Sequence, residues 1–275
     1  MDQRGSDIYP LLPAAWRESG LRLARYAPFM RVLFVHQNHS SPPGLVGDAF
    51  ASLGYDVSEF TVVPKERYHS PDVTVTFPDP LGYDAVVAFG AAWAVYDEAA
   101  IGTWIHDEIS FTRRAIAGGV PFLGICFGGQ MLATALGGQV ARAPEPEIGW
   151  TAIDTDMPDV IDPGPWFQWH LDRFSVPDSV RVVARTPRAG QAFVSGRSLG
   201  LQFHPELTSA VLETWLADGG DAELTAAGVD VDGLLARTRV LDSEAAVRAC
   251  ELVSRFVRNI ATASADATVL TPRAC

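Results

Sequence analysis

The stretch Val120-Pro121-Phe122-Leu123-Gly124-Ile125-Cys126-Phe127-Gly128-Gly129 constrains the fold more than any other part of the chain. An apolar run stops at Gly-x-Cys-x-Gly and passes directly into Gln130-Met-Leu-Ala-Thr-Ala-Leu136, a helical pattern closed by Gly137-Gly138. A strand that becomes a helix in so few residues puts its central residue on a strained apex. The residues two positions either side must then lack a Cβ, because the backbone folds back against them. Cys126 occupies that apex, at the start of a helix whose dipole favours thiolate over thiol. A free cysteine is most often a small core residue. Flanking glycines at a strand-to-helix junction make Cys126 a candidate nucleophile instead.

A partner base follows much later. Ser198–Phe203 reads as a short buried strand running into His204-Pro205-Glu206. Pro205 blocks helix continuation and biases His204 toward extended backbone. In an extended segment residues i and i+2 project to the same side, so Glu206 can orient one imidazole nitrogen while the other faces Cys126. Nucleophile, base and orienting acid are the parts that covalent acyl transfer needs.

Around these motifs the chain alternates strand and helix. Arg31–Val35, Tyr55–Val63, Asp84–Phe89 and the run before Cys126 read as strands. Residues 44–54 and Asp97–Ala117 read as helices, the second on its spacing of Ile101, Trp104, Ile105, Ile109 and Ile116. Repeated strand–helix units imply an α/β fold with a parallel sheet and helices on both faces. Short strand-like runs between Pro, Asp and Gly turns predict a mostly antiparallel flap within about residues 143–196, over the C-terminal edge of the sheet. Leu207–Ala217 and Glu244–Ala261 read as helices, the latter with Cys250 on its packing face. The expected organisation is an extension over residues 1–29, a domain over 30–261 and a flexible tail over 262–275.

Composition narrows the function classes. A net charge of −12 over 275 residues argues against a basic nucleic-acid-binding surface. No apolar run approaches the roughly 18 residues of a membrane span. Three cysteines without a CxxC pair fit a reducing compartment, so cytoplasm is the expected location. His36 and His39 lie just past the first strand without a Cys or Asp companion, and read as pocket lining or polar loop rather than a metal site. Glu145, Glu147 and Asp172 read as solvated charges. Neither a cofactor nor a metal is expected.

Gly124-Ile-Cys-Phe-Gly-Gly-Gln130 together with Gln202-Phe-His-Pro-Glu206 resembles the class I glutamine amidotransferases of the Cys-His-Glu type. The resemblance extends in order over roughly residues 30–215. It is strongest to stand-alone members similar to the amidotransferase domain of GMP synthase. The segments Asp84–Asp97 and Phe167–Phe174 support it. The resemblance implies a flavodoxin-like open sheet and a triad of Cys126, His204 and Glu206. It also implies an oxyanion hole from the backbone amides of Ala91 and Phe127, and substrate contacts at Gly90, Gln130 and His170. One departure stands out: Gly90-Ala91-Ala92-Trp93 replaces the family's Gly-Gly-Pro, which disfavours positive φ at Ala91 and brings a bulky ring to the pocket mouth.

The implied activity is hydrolysis of the side-chain amide of glutamine, or of a γ-glutamyl compound, through a γ-glutamyl thioester. A separate synthetase partner could accept the ammonia, since the chain has no Ser-Gly-Gly-x-Asp-Ser loop of an ATP pyrophosphatase. The contrasting expectation is a catalytically silent binding or regulatory protein on the same scaffold.

Overall fold

Four strands, buried on both faces except at Arg31, set the architecture of the computed structural model, which describes residues 30–262. These are β1 (Arg31–His36), β3 (Ala85–Ala88), β4 (Phe122–Ile125) and β10 (Ser198–Leu201), with β2 (Asp56–Thr61) outside them. The remaining strands are β5 (Gln139–Thr151), β6 (Asp154–Thr155), β7 (Trp166–Ser175), β8 (Arg181–Arg185) and β9 (Gly190–Ser195). Helices are α1 (Gly44–Ser52), α2 (Glu98–Ala117), α3 (Phe127–Ala135), α4 (Ser209–Trp215), α5 (Asp221–Ala226) and α6 (Val231–Phe256).

The main sheet has the order β2-β1-β3-β4-β10-β9-β8-β6. Its first five strands are parallel and its last three are antiparallel. The parallel part is the flavodoxin-like arrangement, in which ligands sit beyond the carboxyl ends of the strands. Alternate residues of β1 serve opposite cores. Val32 and Phe34 pack with Val46 and Phe50 of α1 and with Val253 and Phe256 of α6. Leu33 and Val35 pack with Ile101 and Trp104 of α2 and Met131 of α3. A strand covered on both faces reads as an unbroken apolar run for this reason. Helix α2 starts as its sequence suggests, with the Asp97 carboxylate accepting from the Ala100 amide at 3.3 Å.

Two expectations need correction. The stretch assigned to a flap divides in two. Strands β5 and β7 form a separate antiparallel ribbon, whereas β6, β8 and β9 continue the main sheet instead of standing over it. The last helix begins at Val231, well before Glu244. Between them, α4, α5 and the start of α6 build a third apolar cluster of Leu207, Val211, Leu212, Leu224 and Leu234 on Phe167. The expected extension over 1–29, and all but the first residue of the expected tail, lie outside the described residues. Among the described residues no helix is long and apolar enough to cross a membrane.

Candidate functional site

The carboxyl ends of β1, β3, β4 and β10 converge, and each delivers one piece of the site. Cys126 follows β4 as the N-cap of α3, with φ 50° and ψ −106°. Among the described residues it is the one non-glycine residue with positive φ. Such strain persists only where the surroundings enforce it. Its amide donates to Leu201 O at 2.8 Å, and Gly128 N donates to Phe89 O at 3.2 Å, tying the turn to β10 and to the end of β3. A Cβ on Gly124 would lie 2.4 Å from Gly128 O, and one on Gly128 would lie 2.2 Å from Ala88 O. Both flanking glycines are therefore needed, for the reason the motif suggested.

His204 follows β10. Its amide donates to Phe167 O at 2.9 Å, so the ribbon strand β7 holds this residue in place. The His204 Nδ1 and Glu206 Oε1 are hydrogen-bonded at 2.8 Å, and both side chains are buried. The Glu206 carbonyl accepts from Leu45 N at 3.1 Å, which anchors it to the first turn of α1. A Cβ on Gly90 would lie 3.2 Å from His204 Cε1 and 3.8 Å from Cys126 Cβ, so the two side chains flank one point beside β3. The Cys126 sulfur receives Gln202 Nε2 at 3.8 Å and lies 4.0 Å from the Trp169 carbonyl.

Burial by itself works against a charged His204. The Glu206 carboxylate and the Cys126 sulfur outweigh it and hold the imidazole well above its usual 6.5. The stabilisation that comes with this charge is fully present below about pH 6.5 and is lost as pH rises through the raised value. Glu206→Gln keeps the shape and removes the charge, so the His204 imidazolium will deprotonate at lower pH than in the parent. Imidazole carbon shifts followed through a pH titration by NMR measure this directly; an unmoved midpoint would remove Glu206 as the source of the shift.

The other expected residues fall around this centre. Ala91 and Phe127 line one cavity together with Cys126. As the first helical residue of α3, Phe127 has an N–H with no partner inside the helix. Ala91 has no positive φ, so its methyl group is accommodated without strain. Gln130 is buried and donates to Gln202 Oε1 at 3.3 Å, completing a chain of amides that ends at the sulfur. The Gly90 carbonyl accepts from Ser41 Oγ at 2.7 Å. His170 is buried, with Nδ1 2.9 Å from Asp172 O and Nε2 3.3 Å from Glu147 Oε2. Trp93 lines the same cavity as Gln130 and His170 and packs against Tyr68 and Trp104. His36 stacks on Phe89 with ring centroids 5.0 Å apart, and His39 pairs with Asp218 at 3.4 Å.

The solvated reading of Glu147 and Asp172 does not hold. Glu147 accepts from Gln191 Nε2 at 2.8 Å, and Asp172 from the Tyr96 hydroxyl at 2.8 Å; both are buried. Burial pushes the Glu147 carboxyl up, but hydrogen bonds from His170 and Thr186 prevail and hold it below its usual value. Glu145 does stay exposed, paired with Arg188 at 3.1 Å. Sequence reasoning also passed over Tyr68, Trp215, Asp218 and Glu223, which line the cavity that contains Cys126 and His204. Only the Gly219-Gly220 pair hints at a turn there, and it carries no chemical signature.

The family model described as glutamine amidotransferase class-I matches residues 59–219. The GMP synthase (glutamine-hydrolyzing) of Aeropyrum pernix is 36% identical over 130 residues, covering 41% of this chain and 24% of that protein. A single subunit of the GMP synthase (glutamine-hydrolyzing) of Sulfolobus acidocaldarius is 32% identical over 135 residues, covering 46% of this chain and 68% of that one. The crystal structure of a glutamine amidotransferase from Thermotoga maritima superposes with a TM-score of 0.72 at 26% identity, covering 84% of this chain and 100% of its own. The chain thus spans only about a quarter of the longer GMP synthase it matches. The matched residues run from β2 through α4 and include the Cys126 turn, His204 and Glu206, so the chain belongs to the class I glutamine amidotransferase family.

Proposed function

We propose that the protein hydrolyses the side-chain amide of glutamine, or of a γ-glutamyl compound, through a γ-glutamyl thioester on Cys126. The observation that carries this reading is the buried His204–Glu206 pair at 2.8 Å, whose imidazole borders the same cavity as a sulfur on a strained helix N-terminus. The raised imidazole keeps a proton at hand beside the sulfur, where a leaving group will need it.

In the proposed sequence the thiolate attacks the amide carbon, and the oxyanion accepts hydrogen bonds from the amides of Phe127 and Ala91. Two such donors contribute about 3 kcal/mol each to lowering the barrier. His204 gives its proton to the leaving nitrogen, and the carbon–nitrogen bond breaks. Water, losing a proton to His204, then cleaves the thioester, releasing the acid and restoring the ion pair. Glu206 holds the imidazole in the tautomer that points Nε2 toward the reaction. Gln130 and His170 line the space for the acyl half of the substrate, and Gly90 meets the substrate between His204 and Cys126.

Diazo-oxo-norleucine, a glutamine-shaped electrophile, tests the assignment. It will modify Cys126 selectively, leave Cys250 untouched, and stop turnover in proportion to labelling, as read by peptide mass spectrometry. Inertness of Cys126 would favour a binding protein on this scaffold. A second reading is delivery of ammonia to a separate synthetase, motivated by the Sulfolobus relative being named as one subunit of its GMP synthase. Co-purification of a synthetase with the intact chain decides that point.

A further inference from the structure

Two cavities meet at Cys126, and only one of them reaches the imidazole. The first is lined by Phe127, Gln130, Arg142, His170 and Asp172 and does not include His204. The second, about 240 Å³, is lined by His204, Tyr68, Trp215 and Asp218, and Trp169 and Glu223 stand between the two and line both. A general acid must lie within hydrogen-bond reach of the atom it protonates. Nε2 of His204 is buried and has no hydrogen-bond partner, and its ring borders the second cavity. The leaving nitrogen therefore belongs in the second cavity and the acyl group in the first.

We propose that the leaving group is an organic amine with a second, positive charge, such as a diamine, seated between the aromatic walls and carboxylates of this second cavity. The inference rests on the hydrolase reading above and adds its substrate class. Size is the first argument. Ammonia, the size of a single water, would leave most of the cavity to solvent. Charge is the second. Among the described residues no lysine or arginine lines the cavity, whereas Asp218 and Glu223 both do. Asp218 pairs with His39 at 3.4 Å, while Glu223 accepts from Trp169 Nε1 at 3.3 Å. An amine bearing its own carboxylate would meet repulsion there.

The walls supply the third argument. The Trp169 and Trp215 rings stand 5.8 Å apart at 77°, and Trp215 meets the His204 ring at 5.0 Å. Trp215 is fixed by donating Nε1 to Ser40 O at 2.6 Å. Indole faces between the imidazole and an acidic rim suit an alkyl chain that ends in an ammonium. The chain's net charge of −12 draws the same class of substrate from solution. In the reaction the carbon–nitrogen bond breaks as sulfur bonds to carbon. The nitrogen takes the His204 proton and departs as the free amine, and water supplies the hydroxyl that releases glutamate.

The test compares kcat/KM of the full chain on three γ-glutamyl amides: glutamine, the 4-aminobutyl amide and its uncharged isostere, the pentyl amide. The 4-aminobutyl amide is expected to exceed the pentyl amide at least tenfold. The double variant Asp218→Asn, Glu223→Gln should bring that ratio down by at least fivefold. Calorimetry with Cys126→Ala should show the same preference in binding the uncleaved amides. Hydrolysis of glutamine with no preference between the charged and neutral amides would overturn this inference and leave the hydrolase reading intact. No turnover of any amide, with the binding preference retained, would overturn the hydrolase reading but keep the cation pocket. Absence of both would end both.

Discussion

Cys126→Ala will abolish amide hydrolysis while the protein stays folded. Alanine keeps the Cβ and removes only the sulfur of a residue that is 7% exposed, so the position at φ 50° remains as strained as before and no large void opens. The expected stability change is within about 1 kcal/mol. Activity should fall by about 10⁴-fold or more, because water without a covalent intermediate has only the oxyanion donors and substrate binding to help it. Ammonia release from glutamine, assayed beside an unfolding curve, separates the two effects. Turnover within tenfold of the parent would remove Cys126 from the mechanism. Cys126→Ser should fail nearly as badly, since a hydroxyl does not ionise beside an imidazole as a thiol does.

Gly128→Ala will destabilise the fold by about 4 kcal/mol or prevent soluble expression. The new Cβ would lie 2.2 Å from Ala88 O and 2.6 Å from Ala88 C. Both atoms belong to β3, all of whose residues are buried, so the clash falls on backbone with nowhere to retreat. Either α3 lifts away from the sheet or the turn at Cys126 opens, and each route moves the sulfur. Gly102→Ala is the matched control. It sits inside α2, its nearest Cβ neighbour is Glu98 Cβ at 3.7 Å, and alanine there should stabilise by up to about 1 kcal/mol. Urea midpoints for the two variants moving in opposite directions would fit this account. An unshifted midpoint for Gly128→Ala would contradict the packing described for the turn.

Where the signal was local, it was legible. The apolar runs of β1, β3 and β4, the spacing of α2 and the glycines around Cys126 each act within a few residues. The turn needed those glycines because Gly124 and Gly128 approach each other and β3 too closely for a methyl group. Ribbon strand β5 was legible only at its end. Its prolines at 144 and 146 and mixed burial conceal any alternation, and its pairing with β7 is what makes it a strand. The first half of α6 was missed for a similar reason. Between Val231 and Leu241 it buries only Leu234 and Thr238, too thin a stripe to show as a periodicity.

Charge was the least legible property. Glu147 and Asp172 look like ordinary surface acids, yet each is buried because its partners, Gln191 and His170 for one and Tyr96 for the other, arrive from distant strands and loops. The sequence alone determined a parallel α/β sheet, a thiol on a turn only glycine neighbours permit, and a histidine and glutamate set two apart on one side of an extended segment. Those follow from backbone sterics and side-chain periodicity over short spans. Only the tertiary structure decided that β7 clasps His204 and that Trp215, Asp218 and Glu223 fold back to wall the cavity at its side. That placement depends on α4 and α5 burying their apolar faces against Phe167, a long-range packing choice that leaves no local pattern to read.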